Sequence, residues 1–579
     1  SIVATIQREQ NRIIRNDRSR MLIVQGAAGS GKTSAALQRV AYLLYRYRGT
    51  LSSDQMVLFS PNPMFNSYVS SVLPELGEAN MIQTTFQDYL ELRLGKQFRV
   101  EDAYDQLEYV LTREGDADYG ARMAAIRFKS SSGYLALIQA YIRSLETSGM
   151  MFRPVKFRGR TIVSAEAIAA KFYGLDPSIR LANRIERVRD WLLEQVKAFE
   201  QAQKSAAWVD EEMQYMNRTD YQRAYAKLRA KRRHLTRATF DDAEAERDLL
   251  AEAIVSTALK PVRDRVRVLR FVDAKGIYRR LHADPGLASA IAADVELPAE
   301  WPAIAELAVR AIDEGRLPYE DATPYLYLNE RLKGFRVNTN VRHVLIDEVQ
   351  DYTPFQLEFL KWLFPRARMT ALGDLNQSIH ARESVLEEED PLTNLYGPGE
   401  TEWIRLTRSY RSTREIVEFT RAMIPGGEEI DPFNRSGGKP TVLIVHDRDT
   451  LHRRIAESLE ELEREGYESA AVICRTAAES EEAWRELSKL LPVRLVKKDT
   501  PQFEKGFCVI PAYLAKGVEF DAVLIYDASD GVYARESERR LFYTACTRAM
   551  HELRVFVLGR PCRFIGEAPA ETYRMEQFV

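Results

Sequence analysis

The chain has 579 residues, of which 45% are hydrophobic and 29% are charged, a balance typical of a folded protein with about two to four domains. Its 82 Lys and Arg residues are offset by 84 Asp and Glu residues, which argues against a general basic coat for nucleic acid. No apolar run approaches the roughly 18 residues that span a bilayer, so we expect no membrane contact. The cysteines lack the spacing of a zinc site or a disulfide scaffold, which suits a reducing cytoplasm; they are Cys474, Cys508, Cys546 and Cys562.

The first informative stretch, near the start of the chain, joins an apolar strand to an amphipathic helix. The joining residues are Gly26, Ala27, Ala28, Gly29, Ser30, Gly31, Lys32 and Thr33. They fit the phosphate-binding pattern GxxxxGK[ST] in its required strand–loop–helix setting, and a chance glycine-rich turn is the alternative. Small residues let backbone N–H groups surround a phosphate at the helix N-terminus. We therefore expect Lys32 to reach the β- and γ-phosphates of ATP and the Thr33 hydroxyl to coordinate Mg²⁺.

A long region without nucleotide motifs follows, between "TTFQDYL" (84–90) and "VRHVLIDE" (341–348). In residues 179–216, apolar side chains recur at steps of three and four, which predicts amphipathic helices. The most basic stretch runs from Arg223 to Arg237, with Tyr221 and Tyr225 among the charges. Two interpretations stay open for it: a solvated helix face, or contact with DNA, RNA or an acidic partner.

The stretch "HVLIDEVQD" (343–351) ends an apolar strand in a group of acids. Carboxylates crowded at a strand tip repel one another unless a cation lies among them. We expect Asp347 to hold the same Mg²⁺ through its water shell, and Glu348 to polarise the attacking water. The alternative, an exposed acidic turn, fits poorly with so apolar a strand.

Further polar residues follow apolar segments in the rest of the chain. In "ALGDLNQSIH" (371–380), Gln377 is placed to contact a γ-phosphate or its water and so distinguish ATP from ADP. In "RLTRSYRSTREI" (405–416), the ring of Tyr410 can stack on a base, and Arg411 can neutralise charge on a transferred phosphoryl group. Glu519 precedes another apolar strand and Arg548 precedes the last one. Taken singly, either arginine is more typical of a solvated surface group.

The order of these motifs resembles that of superfamily 1 helicases of the UvrD/Rep type. The matching elements are Gln10, "GAAGSGKT", "TTF", "DEVQD", "GDLNQS", "SYRST", "AKGVEF" and "YTACTRA". The resemblance implies an α/β fold with two RecA-like P-loop NTPase domains, each a parallel sheet flanked by helices, that bind ATP and Mg²⁺ between them. It implies that Gln10 contacts adenine, that Tyr410 stacks on it and that Glu519 binds the ribose. Arg411 and Arg548 would be the arginine fingers.

The chain also departs from the UvrD type. It reads "QSIHARESV", with His380 and Arg382 where UvrD-type enzymes carry a Tyr and a Trp that stack on single-stranded DNA. The short distance from Arg411 to Lys516 leaves no room for the usual accessory domain, and the extra mass lies in the first domain instead. We therefore predict a first RecA-like domain at 1–95 and 336–400, a mainly helical insertion at 96–335, and a second RecA-like domain at 401–579.

These departures, together with "LFSPNPMFNSYVSSVLPELG" (58–77), resemble the HelD family. The resemblance implies binding to the core of bacterial RNA polymerase and its release from stalled or post-termination complexes. It also implies an N-terminal coiled-coil arm, which we expect to be missing before Ser1, and an insertion that enters the polymerase main channel. We expect a cytoplasmic monomer, associated with the nucleoid through the polymerase. The alternative is a 3′-to-5′ single-stranded DNA translocase or helicase, which the missing aromatic after Ile379 disfavours.

Overall fold

The computed structural model describes residues 2–61, 70, 72–216, 218–231, 243–374, 391–501 and 504–578. The chain divides into two compact units. The sheet unit comprises residues 1–135, 298–324 and 337–579, and the helical unit comprises residues 136–297 and 325–336. Within the described ranges, no helix combines the length and the apolar character that crossing a bilayer requires.

A six-stranded sheet, parallel at every pairing, carries the P-loop. From edge to edge its strands are Thr401–Leu406, Met21–Gly26, Arg368–Gly373, His343–Ile346, Met56–Phe59 and Ile82–Thr84. The helices Ile2–Ile14, Lys32–Arg46, Val72–Glu75, Phe86–Leu94, Pro354–Leu363 and Pro391–Tyr396 accompany it. We call this sheet and these helices the P-loop domain.

Burial explains why the inner strands of this sheet are so apolar. All four residues of His343–Ile346 are buried, as expected for a strand covered on both faces. The helix Lys32–Arg46 buries Leu37, Val40 and Leu44, at steps of three and four residues, in the core that also contains Leu345. Parallel strands place their carboxyl ends at one edge, so the P-loop and the acids that follow Ile346 lie at the same edge.

A seven-stranded sheet, also parallel at every pairing, forms a second domain. Its strands, from edge to edge, are Arg494–Leu495, Gly506–Pro511, Ser469–Cys474, Phe520–Ile525, Ala549–Leu558, Thr441–Val445 and Arg574–Gln577. The accompanying helices are Arg414–Arg421, Arg448–Arg464, Ala477–Leu487, Arg539–Cys546 and Arg563–Gly566. We call this sheet and these helices the C-terminal domain. The four cysteines are free and buried within it. The predicted α/β class with two RecA-like domains is confirmed.

The sheet unit also contains three helices that flank residues 136–297 of the helical unit in sequence, two before them and one after. They are Ala103–Thr112, Tyr119–Lys129 and Trp301–Asp313. The short strands Arg99–Val100 and Arg316–Leu317 pair in parallel beside them. Arg408–Ser409 and Asp431–Pro432 form another short parallel pair.

The helical unit is built around two long helices, Leu181–Gln203 and Ala243–Arg267, that contact each other. The antiparallel hairpin Val155–Phe157 and Arg160–Val163 packs on them. The remaining helices within it are Ala165–Tyr173, Ala207–Tyr215, Arg218–Lys231, Ala274–Ala283 and Leu287–Ile291. Helices Ser132–Ser144 and Tyr319–Lys333 each contribute residues to both units.

The domain boundaries in the structure differ from those that the sequence predicts. The predicted boundary at 400/401 falls just before a strand, Thr401–Leu406, that pairs with the P-loop strand, so the first sheet extends beyond it. The predicted insertion at 96–335 is also too wide, because residues 96–135 and 298–324 belong to the sheet unit. The sequence pattern predicts helices in these segments, but it does not specify the surface against which they pack.

Candidate functional site

The P-loop has the geometry of a phosphate cradle. Gly29 and Gly31 have φ angles of 75° and 83°, in the left-handed region that favours glycine. Gly31 is the N-cap of the helix Lys32–Arg46, and no described side chain caps that helix. The first backbone N–H groups of this helix are therefore available to bind an anion. Ser30 Oγ is buried without a hydrogen-bond partner among the described residues, which leaves a further polar atom for a ligand.

The two acids predicted for catalysis lie beside this loop. Asp347 and Glu348 are buried, and Asp347 Oδ2 lies 3.5 Å from Thr33 Oγ1. Burial, followed by the negative charge of Glu348, raises the pKa of Asp347 to about 7, and the Lys32 ammonium opposes this shift. A buried carboxylate with a raised pKa gains free energy when a cation approaches it.

The residues present fit Mg²⁺ and a nucleoside triphosphate. Thr33 and Asp347 supply the hydroxyl and carboxylate oxygens that Mg²⁺ prefers. In the described part of the chain, no group of three or more His, Cys, Asp or Glu side chains is arranged as a metal site. The protein ligands would therefore be few, and phosphate and water oxygens would complete the shell. When bound, the ion would neutralise charge on the phosphates.

Glu348 is held in an unusual conformation by its neighbours. Its φ of 54° lies in the left-handed region, which costs free energy for a non-glycine residue. Gln350, fully buried, donates from Nε2 to Glu348 Oε2 at 2.5 Å and accepts from the backbone N–H of Asp374 at 3.1 Å. Gln350 therefore links the carboxylate of Glu348 to the end of the neighbouring strand Arg368–Gly373. The sequence pattern gives no indication of this role for Gln350.

Lys516 brings a buried positive charge from the C-terminal domain to these acids. Its Nζ lies 2.6 Å from Asp351 Oδ2 and 3.6 Å from Glu348 Oε2. The side chain is 3% exposed, so this ion pair is shielded from water. The "AKGVEF" motif was the only available sequence signal, and it gave no partner for the lysine.

The segment Ser409–Arg411 contacts the P-loop directly. Ser409 Oγ donates to the Ala28 carbonyl and the Tyr410 N–H donates to the Gly29 carbonyl, each at 2.8 Å. A Cβ atom on Gly29 would lie 2.9 Å from Ser409 Oγ, so this approach requires glycine. The predicted Tyr410 and Arg411 are thus adjacent to the phosphate cradle.

The predicted adenine contacts, Gln10 and Tyr410, also lie beside this loop. Tyr410 donates through its hydroxyl to Glu9 at 2.7 Å. A Cβ atom on Gly31 would lie 2.8 Å from Gln10 Nε2, which places the Gln10 side chain beside the P-loop. The structure therefore brings Gln10 and Tyr410 to one nucleotide site, and their contacts with adenine stay predictions.

The predicted residues Arg411, Glu519 and Arg548 contact protein groups in this structure. Arg411 forms an ion pair with Glu519 at 3.0 Å. Arg548 is buried and donates to the backbone carbonyls of Thr544 at 3.2 Å and Val518 at 3.5 Å. Arg548 thus lies against the loop that carries Glu519. The arginine-finger and ribose roles stay predictions, and Gln377, His380 and Arg382 lie outside the described residues.

A cavity of about 190 Å³ adjoins Glu348 between the P-loop and C-terminal domains. Its described lining includes two lysines, Lys498 and Lys516, and the five acids Asp88, Asp102, Asp347, Glu348 and Asp351. Both lysines are paired with acids, since Lys498 lies 2.9 Å from Asp102 and 2.7 Å from Asp105. The cavity therefore carries a net negative charge.

The helix Ala103–Thr112 closes one side of this cavity and packs on the C-terminal domain. Tyr104 stacks on Tyr513 with ring centroids 5.6 Å apart. Glu108 accepts hydrogen bonds from the Tyr513 hydroxyl at 2.9 Å and from the Ala477 N–H at 2.5 Å. Apolar side chains of this helix, Leu107 and Leu111, join the core of the C-terminal domain.

Comparison with known proteins gives matches in both halves of the chain. The family described as the UvrD/REP helicase N-terminal domain matches residues 196–384, and the UvrD-like helicase C-terminal domain matches residues 506–556. The ATP-dependent DNA helicase SRS2 of Saccharomyces cerevisiae is 32% identical over 114 residues, which are 19% of this chain and only 10% of that protein.

A solved structure, the C-terminal domain of a possible DNA helicase from Lactobacillus plantarum WCFS1, is 32% identical to this chain. The match covers 29% of this chain and 98% of that domain, with a TM-score of 0.26. Two observations bear on the family of this chain: the two family matches, in their expected order, and the P-loop and DEVQD residues that the fold brings together. The chain therefore contains regions similar to the N- and C-terminal domains of UvrD-like helicases, which supports a place among the UvrD/Rep helicases of superfamily 1.

Proposed function

We propose that this chain is an ATP-hydrolysing motor that binds the core of RNA polymerase and releases it from stalled or post-termination complexes. The ATPase part is supported by the convergence of Lys32, Thr33, Asp347 and Glu348 around the P-loop. In this proposal Glu348 polarises the attacking water, and Asp347 and Thr33 hold Mg²⁺.

The protein-directed part of the proposal is supported chiefly by the acidic cavity. A nucleic-acid strand in this cavity would meet five carboxylates and only two lysines, each of which already pairs with one of those acids. Phosphate contacts supply most of the affinity of non-specific nucleic-acid binding, so this surface is poorly suited to a strand. The choice of RNA polymerase as the protein partner rests on the resemblance to HelD.

A second candidate function is 3′-to-5′ translocation on single-stranded DNA. It is favoured by the family matches and by the similarity to SRS2, which is described as an ATP-dependent DNA helicase. The two candidates differ in the ligand that should alter ATP turnover. Polymerase core should do so under the first, and single-stranded DNA under the second.

The experiment measures ATP turnover by this chain with polymerase core, with single-stranded DNA and with neither. We expect core polymerase to be captured by the tagged chain and to change turnover, and single-stranded DNA to leave turnover unchanged. The Glu348→Gln variant is the matched control, since it should keep polymerase capture but lose hydrolysis. ATP-dependent unwinding of a tailed duplex, without polymerase capture, would establish the helicase alternative.

A further inference from the structure

Two basic segments of the helical unit lie side by side. Residues 151–160 and 262–271 together contain eight Lys and Arg residues and a single acid, Asp264. Backbone hydrogen bonds join the two segments, from Arg153 to the Phe271 carbonyl at 2.8 Å and from Asp273 to the Met151 carbonyl at 3.0 Å. The fold therefore concentrates positive charge that the chain as a whole does not have.

Between these segments lies a groove of about 310 Å³. Its rim carries Arg153, Lys156, Arg265 and Arg270, whose side chains are exposed, and its floor includes Val155 and Val266. We call it the basic groove. Arg153 forms an ion pair with Asp273 at 3.0 Å and is half exposed. Lys156, Arg265 and Arg270 make no ion pair with the described residues, so they are available to an anionic ligand.

The floor of the groove helps to identify the class of ligand. It is aliphatic, and the one aromatic residue in the described lining, Phe271, is 4% exposed. Base-stacking sites for single-stranded nucleic acid need an accessible aromatic face, which this floor does not offer. An aliphatic side chain fits such a floor, and carboxylates beside it would meet the guanidinium groups on the rim.

We propose that the basic groove is a docking site for an acidic segment of a partner protein, anchored by one aliphatic side chain between carboxylates. Charge complementarity selects the acidic segment, and the aliphatic floor selects the anchor. The site lies in the helical unit and does not depend on the proposed ATPase. Binding without nucleotide therefore tests it separately from the proposed function.

The test uses the full chain and a short fluorescein-labelled peptide in which one leucine stands among glutamates, measured by fluorescence anisotropy. We expect saturable binding that weakens with added salt, since exposed charges are screened. Replacing the leucine by serine should weaken binding by about tenfold, the change in Kd that roughly 1.4 kcal/mol produces. A single-stranded DNA oligonucleotide of matched charge should bind more weakly than the peptide.

Charge-reversal variants locate the site. Arg265→Glu and Arg270→Glu should each weaken peptide binding by about tenfold. Lys197→Glu, on the exposed side of the helix Leu181–Gln203, is the matched control and should bind as the parent chain does. Circular dichroism establishes whether each variant is folded. If one of the two arginine variants does not fold, the other is compared with the control.

Three results would overturn the proposal. They are the absence of peptide binding, peptide binding that is indifferent to both arginine variants, and oligonucleotide binding that is tighter than that of the leucine peptide. The last result would identify a nucleic-acid surface instead.

Discussion

At the scale of single residues, the orientation of Glu348 depends on its neighbours more than on its own backbone preference. A non-glycine residue in the left-handed region costs about 1–3 kcal/mol, so the surrounding contacts must hold it there. Gln350 supplies such a contact by donating to the Glu348 carboxylate. The proposed base is therefore positioned by a neutral amide that can hold the carboxylate without neutralising its charge.

The first prediction concerns this pair. Glu348→Gln should lower kcat for ATP hydrolysis by about 10²–10⁴, the usual contribution of a general base. Gln350→Ala should lower kcat less and leave KM for ATP nearly unchanged, because it changes the orientation of Glu348 rather than the P-loop. Steady-state turnover over a range of ATP concentrations separates the two parameters. A Gln350→Ala variant that raises KM alone would contradict the positioning role.

The second prediction concerns His343, whose Nε2 lies 2.8 Å from Thr370 Oγ1 inside the P-loop domain. Burial, with smaller contributions from Arg39 and Arg368, lowers the pKa of His343 to about 3. The unfolded chain takes up this proton near pH 6.5, so stability is present above that pH and falls as the pH decreases toward 3. The expected slope is up to about 1.4 kcal/mol per pH unit.

Denaturant unfolding at pH 7.5 and pH 5.5 measures this slope for the parent chain and for His343→Gln. The variant should lose less stability between the two pH values than the parent does. His446→Gln, which removes an exposed histidine of the C-terminal domain, serves as the control. Equal slopes for the parent and His343→Gln would show that another group dominates the pH dependence.

At the scale of elements, the helix Ala103–Thr112 shows what a sequence pattern leaves open. Its apolar spacing predicts that Leu107 and Leu111 are buried. The surface that covers these residues belongs to the C-terminal domain, more than 300 residues later in the chain. An example is the hydrogen bond from the Ala477 N–H to Glu108, which joins residues 369 positions apart. Periodicity gives the buried face of a helix, but the identity of the covering surface depends on long-range packing.

The third prediction tests this contact. Glu108→Ala leaves the Ala477 N–H, in the first turn of the helix Ala477–Leu487, without its carboxylate partner. The loss of this partly buried hydrogen-bond acceptor should lower the free energy of unfolding by about 1–3 kcal/mol. Glu114→Ala removes a glutamate that is 69% exposed and should have little effect. Thermal unfolding of both variants makes the comparison, and equal melting temperatures would show that the contact contributes little.

At the scale of the whole molecule, the candidate nucleotide site receives residues from both the P-loop domain and the C-terminal domain. Lys516 of the C-terminal domain contacts Asp351 of the P-loop domain, and Ser409 and Tyr410, in the segment that joins the two domains, contact the P-loop itself. The carboxyl-terminal edges of two parallel sheets thus contribute to one site. The sequence predicted that the P-loop and the acids after Ile346 meet, because both follow apolar strands, but it did not indicate the contact that Lys516 makes.

The fourth prediction follows from this sharing. A non-hydrolysable ATP analogue with Mg²⁺ should raise the melting temperature, by the equivalent of about 2.7 kcal/mol at a hundred times its Kd. Lys32→Ala should abolish the shift, since it removes the predicted contact with the phosphates. Glu348→Gln is the control and should keep the shift, because it acts on the attacking water. An unchanged shift in Lys32→Ala would overturn the assignment of the phosphate site.

Much of the site, but less of the architecture, was accessible from the sequence. The P-loop and the acids after Ile346 were identified because their chemistry depends on residues close together in the chain. The links through Gln350 and Lys516 were not, because the Lys516–Asp351 contact joins residues 165 positions apart. Strand order depends on similar distant pairings, which is why Thr401–Leu406 was assigned to the wrong domain.

The pairing of the P-loop strand has a consequence for biosynthesis. Met21–Gly26 is synthesised well before its two neighbours in the sheet, which are Arg368–Gly373 and Thr401–Leu406. An apolar strand with both edges open is an aggregation hazard, so the nascent chain must keep it protected while translation continues. The helical unit is complete by residue 336 and can fold on the ribosome before either neighbour emerges. We therefore expect the phosphate cradle to form only after both neighbouring strands have been synthesised, long after its own residues have left the ribosome.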